Sequence, residues 1–127
     1  MFAIDTRSDK PIYEQIIDNI KELSLRGILK SKDKLPSVRD LAGMLTVNPN
    51  TVSKAYRELE RQNVIETLRG RGTFMCEIGE MQINEERVEK AMEKLKDVCV
   101  ELKYMGYEKE DIVEKIEEIY KDIIKED

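Results

Sequence analysis

The chain has 127 residues, 39% of them charged, with a formal net charge of −5, two cysteines and no histidine. That length holds one ordinary domain, or a small one with an extension, and no run of about eighteen apolar residues is present to span a membrane. Without imidazole or clustered thiols, histidine-based catalysis is excluded and neither a metal nor a cofactor is expected.

Cys76 and Cys99 lie far apart in unlike segments and read as small hydrophobes in a reducing cytoplasm. The N-terminus carries Asp5 and Asp9 and no apolar stretch of the secretory kind, which again points to the cytoplasm. The net charge hides a division. Residues 1–76 hold 13 Lys and Arg against 10 Asp and Glu, a net of +3, whereas residues 77–127 hold 9 against 17, a net of −8. Such asymmetry predicts two parts, 1–76 and 77–127, with different partners: a basic part able to face phosphate and an acidic part turned away from it. A plainer cause, that the acidic half is a solvated helical surface, is compatible with this.

In chain order, Met1 to Lys10 is a short leading segment whose Phe2 and Ile4 can pack on the body. From Pro11 to Leu25 the residues Ile12, Ile16, Ile17, Ile20 and Leu23 recur at helical spacing, with Tyr13 beside the stripe. Pro11 suits a first-turn position and Gly27 a stop, so the spacing predicts a first helix of about four turns. Lys30, Lys32 and Lys34 then cluster around a polar loop, and Lys34-Leu35 reads as a very short strand.

Two short helices are written between Leu35 and Gln62. Ser37 precedes the first, with Asp40 three residues on, a capping-box arrangement. Asn48 precedes the second, with Pro49 at its first position, where a missing N–H costs nothing and Asn48 is pushed out of the helical region. Thr46 and Val47 leave room only for a tight turn. Leu41, Leu45, Val47, Val52 and Ala55 are apolar, and Ala42 is small where the second helix must approach. This is the pattern of a helix-turn-helix, whose second helix is offered to the DNA major groove.

Asn63 then reads as a left-handed helix stop. Val64 to Leu68 alternates and is rich in β-branched residues, Thr73 to Cys76 follows in the same style, and Arg69-Gly70-Arg71-Gly72 between them reads as a hairpin tip. A hairpin directly after a helix-turn-helix is the layout of a winged helix. A cationic tip without bulk suits a probe of the minor groove or the phosphate backbone.

Met81 to Met105 forms a second helical block in which Val88, Met92, Leu95, Cys99 and Leu102 trace a heptad seam, widened by Ala91 and Val98 and stopped at Gly106. Met81, Met92 and Met105 read as core filler. Glu110 and Asp111 then load acid onto the start of a last helix, whose apolar face carries Ile112, Val113, Ile116, Ile119, Tyr120, Ile123 and Ile124. Glu108 is a weak cap for it, which predicts a fraying start. The two helices read as a hairpin too small to bury such faces unaided, so they must pack on the first domain, on a second copy or on both, a second copy being the economical answer.

The chain resembles GntR-family transcriptional regulators, and within them the small YtrA-type members with a short helical C-terminal region. The resemblance spans the chain and is carried by Pro11-Ile12-Tyr13-Glu14-Gln15-Ile16, Leu35-Pro36-Ser37-Val38-Arg39-Asp40-Leu41-Ala42, Asn50-Thr51-Val52-Ser53-Lys54-Ala55-Tyr56-Arg57-Glu58-Leu59 and Arg69-Gly70-Arg71-Gly72-Thr73-Phe74. It implies that Ser37 and Arg39 reach DNA from the second helix, that Asn48, Asn50, Thr51, Ser53 and Lys54 read the major groove, and that Arg69, Gly70, Arg71 and Gly72 approach the minor groove or its phosphates. The chemistry suits those roles, since Asn pairs with adenine, Lys or Arg with guanine, and hydroxyls with phosphate. Larger members attach an effector-binding domain, for which the residues after the wing leave no room. In YtrA-type members that region is associated with dimerisation, which implies contacts through Val88, Met92, Leu95, Cys99, Leu102, Ile112, Ile116, Ile119, Tyr120 and Ile123.

The expected fold is therefore mainly α: a winged helix-turn-helix of three helices and a β-hairpin, followed by a two-helix dimerisation region. The expected function is a homodimeric, sequence-specific repressor on an inverted-repeat operator, its partners being double-stranded DNA and its own second copy. The rival is a helical protein-interaction module that recruits a different protein. An enzyme is disfavoured, because Tyr13, Tyr56 and Ser53 have no base beside them and no glycine loop cradles phosphate before a helix.

Overall fold

The computed structural model describes residues 2–77 and 84–124. The chain divides into two compact units, Met1–Gln82 and Ile83–Asp127. The first is built from α1 (Ile12–Leu25), β1 (Lys34–Leu35), α2 (Val38–Leu45), α3 (Pro49–Arg61), β2 (Ile65–Leu68) and β3 (Gly72–Met75). The second contains α4 (Glu85–Tyr104) and α5 (Lys109–Ile124).

In α1 the expected stripe is the buried one: Ile16, Ile17, Ile20 and Leu23 all lie in the core. Pro11 stands one place earlier than expected, at the cap, with extended backbone (φ −54°, ψ 145°). Its fixed φ suits either position, and its carbonyl accepts the first helical bond from Gln15. The leading segment is tied to α1 by side chains that satisfy its amides. Asn19 Oδ1 accepts from the Ala3 amide, and Gln15 accepts from the Asp5 amide while donating to the carbonyls of Asp5 and Lys10. Phe2 and Ile4 are thereby laid against the core.

The three strands form one antiparallel sheet in the order β1-β3-β2. Lys34 pairs with Phe74, and Ile65, Thr67 and Leu68 pair with Met75, Thr73 and Gly72. Both hairpin strands differ slightly in their bounds from the expectation. β3 begins already at Gly72, because Leu68 and Gly72 are paired there.

One core fills the space between the three helices and the sheet. Ile20, Leu41, Val52, Ala55 and Leu59 have no measurable exposure, and Leu35, Ile65 and Met75 close it from the sheet side. α3 is the shared wall, packing on α1, α2 and β2. Its end is a left-handed Asn63 (φ +59°), with the Val64 amide donating to the Leu59 carbonyl and the Asn63 amide to that of Glu60. That is a Schellman stop with Asn where glycine is usual, and Val64 and Leu59 are both buried.

In the second unit α4 starts under an Asn84 cap, whose side chain accepts from the Arg87 amide. Met81, where the helical block is expected to begin, lies outside the described residues. The expectation of two helices too small to bury such faces unaided agrees with what is found. α4 and α5 make no extended contact with each other, and neither buries a side chain. Amphipathic spacing shows that a face needs a partner without showing which one, and here both faces stay largely exposed, with Cys99, Leu102, Ile112 and Ile123 half-buried. The expected weak start of α5 is corrected. Asp111 Oδ2 accepts from the Glu108 amide at 2.9 Å, while the Glu108 carboxylate pairs with Lys103 at 2.8 Å. The cap is supplied from inside the helix rather than by the residue at its entrance.

Candidate nucleic-acid interface

The site is assembled from the start of α2, the exposed side of α3 and the wing. Ser37 sits at the cap of α2 in extended conformation, and its hydroxyl accepts from the Asp40 amide at 3.1 Å. That bond fixes the first turn and leaves Arg39, two residues on, exposed. α2 ends at Thr46 in the left-handed region (φ 56°, ψ 49°), where the Val47 amide donates to the Ala42 carbonyl. This reversal lets α3 start within three residues. Asn48 caps α3, its Oδ1 accepting from the Asn50 amide at 2.8 Å, with Pro49 next.

Val52, Ala55, Tyr56 and Leu59 are the buried side of α3. On the other side Asn50, Lys54 and Arg57 are exposed, with Thr51 and Ser53 half-buried beside them. The orientation of the helix is held by Tyr56, whose hydroxyl donates to the Pro36 carbonyl at 2.7 Å. Burial pushes the Tyr56 phenol up to about 12, so it stays a donor across the physiological range. Lys54 leans towards α1, with its ammonium 3.9 Å from the centre of the Tyr13 ring, a cation–π contact. The Glu14 carboxylate beside Tyr13 holds that phenol above its ordinary value.

In the wing the Arg71 amide donates to the Leu68 carbonyl at 2.9 Å, closing a turn whose third residue, Gly70, has φ +80°. A side chain there would be strained, as at Gly72 (φ +116°). Arg69, Gly70 and Arg71 are exposed at the tip, and Gly72 is half-buried at its base.

The charges sort themselves by partner. Arg61 is neutralised by Glu58 at 2.6 Å and Lys32 faces Glu66 at 3.8 Å. Glu60 accepts from the Thr67 hydroxyl. Arg39, Arg57, Arg69 and Arg71 have no acidic partner among the described residues. Every residue expected to face DNA from α2, α3 and the wing is therefore exposed or half-buried, and these three elements carry four arginines without an acidic partner among the described residues. The sequence alone does not single out Arg57, because pairing with Glu58 or Glu60 is as good a reading there. The available signal is its place three residues beyond Lys54 and seven beyond Asn50, on one helix side. The C-terminal seam residues are also accessible: Val88, Met92, Leu95, Ile116, Ile119 and Tyr120 are exposed, and Cys99, Leu102, Ile112 and Ile123 are half-buried. Among the described residues no group of Cys, Asp or Glu could hold a metal ion, and no helix is long and apolar enough to cross a membrane.

A helix-turn-helix with an accessible second helix and a glycine-hinged basic hairpin defines a winged-helix DNA-binding regulator. Comparison with known proteins agrees: residues 12–75 match the family described as bacterial regulatory proteins, gntR family. The HTH-type transcriptional repressor YtrA of Bacillus subtilis (strain 168) is 52% identical over 97% of this chain and 95% of its own. Among solved structures, a transcriptional antiterminator from Listeria monocytogenes EGD-e is 44% identical with a TM-score of 0.92, covering 98% of this chain and 92% of that one. YtrA from Sulfolobus acidocaldarius, a GntR-family transcription factor, is 38% identical with a TM-score of 0.60, over 73% of this chain and 94% of its own. The chain belongs to the GntR family and is of its YtrA type.

Proposed function

We propose that this regulator is a cytoplasmic, homodimeric repressor that binds an inverted-repeat operator, with residues 1–76 contacting DNA and residues 77–127 joining two copies. The observation that carries it is that Arg39, Arg57, Arg69 and Arg71, without acidic partners among the described residues, stand exposed on α2, α3 and the wing. In this reading Asn48, Asn50, Thr51, Ser53 and Lys54 address base edges or adjacent phosphates, and Arg57 extends that row. Ser37 and Arg39 approach from α2, and Arg69, Gly70, Arg71 and Gly72 follow the backbone or minor groove.

Dimerisation is supported by what the second unit leaves open. Met92 is 60% and Leu95 45% exposed on α4, and Tyr120 is 60% exposed on α5. Apolar rows of this extent are a cost in water unless another surface covers them, and two copies with a two-fold axis would do so. Two recognition helices could then enter successive major grooves about 34 Å apart. Occupying a promoter in this way excludes polymerase, in keeping with the repressor named in Bacillus subtilis.

Selecting bound duplexes from a random pool, with the mass in solution measured alongside, tests the reading. The expected result is an inverted repeat bound by a dimer, with affinity that falls steeply with salt and drops on Arg39→Ala. A monomer that enriches no sequence, or Arg39→Ala with unaltered affinity, overturns it. The rival, a helical module recruiting another protein, predicts that no sequence is enriched and that Arg39→Ala is without consequence, any residual DNA attraction being of the sequence-blind electrostatic kind.

A further inference from the structure

We propose that Lys34 is a further DNA-contacting residue, clamping a backbone phosphodiester at the joint between the wing and α2; this rests on the duplex-binding reading above. Lys34 lies on β1, the outer strand beyond the hairpin, paired with Phe74 of β3. Pro36 and the Ser37 cap follow almost at once, so its backbone is held by the sheet on one side and by the start of α2 on the other. Its side chain runs across the base of the wing. A Cβ built on Gly72 would stand 2.9 Å from Lys34 Cε and 3.6 Å from Nζ. The aliphatic stem therefore occupies the space that a side chain at residue 72 would need, and it carries the ammonium to the foot of the Arg69–Gly72 tip.

Lys34, Ser37, Asp40, Gly72 and Thr73 line one open groove between the wing and the first turn of α2. Ser37 and Gly72 are already part of the proposed DNA surface. Asp40 is the acidic residue of that lining, so without Lys34 the groove would offer a carboxylate and two hydroxyls to a phosphate. With Lys34 the net charge of the groove is zero rather than negative, and an ammonium with three donors, not ion-paired, can meet a phosphate. The Lys34 ammonium has no hydrogen-bond or ion-pair partner among the described residues, whereas that of Lys32, two residues earlier, faces Glu66. The charge of Lys34 is left available where the two DNA-facing elements meet. Gly72 is needed for this as well as for its backbone angle, because any side chain there would displace the lysine.

The test is equilibrium binding of the full chain to a duplex selected from a random pool, measured over a salt series. Lys34→Gln should reduce the slope of log affinity against log salt by about 0.9, so that raising salt from about 50 to 200 mM costs the variant about 3.5-fold less than the parent. Preference among related duplexes should not change, because phosphate carries no sequence. Lys34→Arg should restore the slope, and Lys32→Gln should leave it at the parent value. An unchanged slope in Lys34→Gln, or an equal loss in Lys32→Gln, overturns the proposal while leaving duplex binding intact. A parent chain that binds no duplex overturns both. The thermal midpoint of Lys34→Gln, an exposed position, should match that of the parent and so separates lost contact from lost fold.

Discussion

The hydroxyl of Tyr56 on α3 donates to the carbonyl of Pro36 at 2.7 Å, and Pro36 immediately precedes the residue that caps α2. One buried phenol thus fixes the recognition helix against the entrance of its neighbour. Tyr56→Phe leaves that carbonyl unpaired and should cost about 1–3 kcal/mol in chemical denaturation. There is a pH signature as well. The folded-state value of about 12 lies above the ordinary value of 10, so the folded chain keeps a proton that the unfolded chain releases. Its contribution is fully present below pH 10 and is lost as pH rises towards 12, with a slope that cannot exceed about 1.4 kcal/mol per pH unit. Denaturation midpoints of the parent and of the Tyr56→Phe variant, measured at about pH 9, 10 and 11 to bracket the ordinary phenol value, should converge as pH rises.

Thr46 holds a left-handed backbone at the turn between α2 and α3, with φ 56° on a β-branched residue. That conformation costs such residues about 1–2 kcal/mol, part of which glycine would give back in unfolded-state entropy. Thr46→Gly should therefore stabilise the chain by up to about 1 kcal/mol, read as a higher urea midpoint at unchanged m-value. A lower midpoint would show that the threonine side chain does more than occupy the turn.

Asn50 is exposed on α3, and its main-chain amide is already satisfied by the Asn48 cap. Its side chain is thus free of capping duty and able to make the bidentate pair that Asn forms with adenine. Asn50→Ala should weaken the best duplex by about 1–3 kcal/mol and relax preference at one base position in each half-site. Competition among single-substitution duplexes measures this, and a uniform loss across all of them would reassign Asn50 to phosphate.

Leu95 is 45% exposed in the middle of the α4 seam. Leu95→Glu should halve the mass measured by sedimentation and weaken operator binding by far more than any single phosphate contact, because two half-sites can no longer be held together. A variant of parental mass would place the joining surface elsewhere.

How far the amino-acid order foretells this structure depends on the range of the forces involved. α1, α2 and α3 are legible because apolar spacing and punctuation agree: Ser37, Asn48 with Pro49, and Asn63 stand where the caps and the stop are found. The Asp111 cap escapes such a reading since Glu108 at the entrance looks poor, although an acid three residues on is itself a local signal. Long-range placement is less accessible. Nothing near Lys34 announces that its stem will lie beside Gly72, since that contact exists only once β1 adds to the far edge of the hairpin. For α4 and α5 the sequence shows faces too broad for the pair to bury unaided, and the structure buries no side chain there, but what covers them is not written locally.

The cap at Asn48 has a consequence for how the chain could evolve. Its oxygen accepts from the Asn50 amide, and its NH2 group makes no hydrogen bond among the described residues. Folding therefore uses one half of a single carboxamide and leaves the other available for the proposed contact with a duplex. Aspartate would serve the helix end as well or better, yet would confront phosphate with a negative charge. If Asn48 takes the proposed role, asparagine meets both demands, and a gain in thermal robustness from aspartate there would come at the expense of DNA affinity.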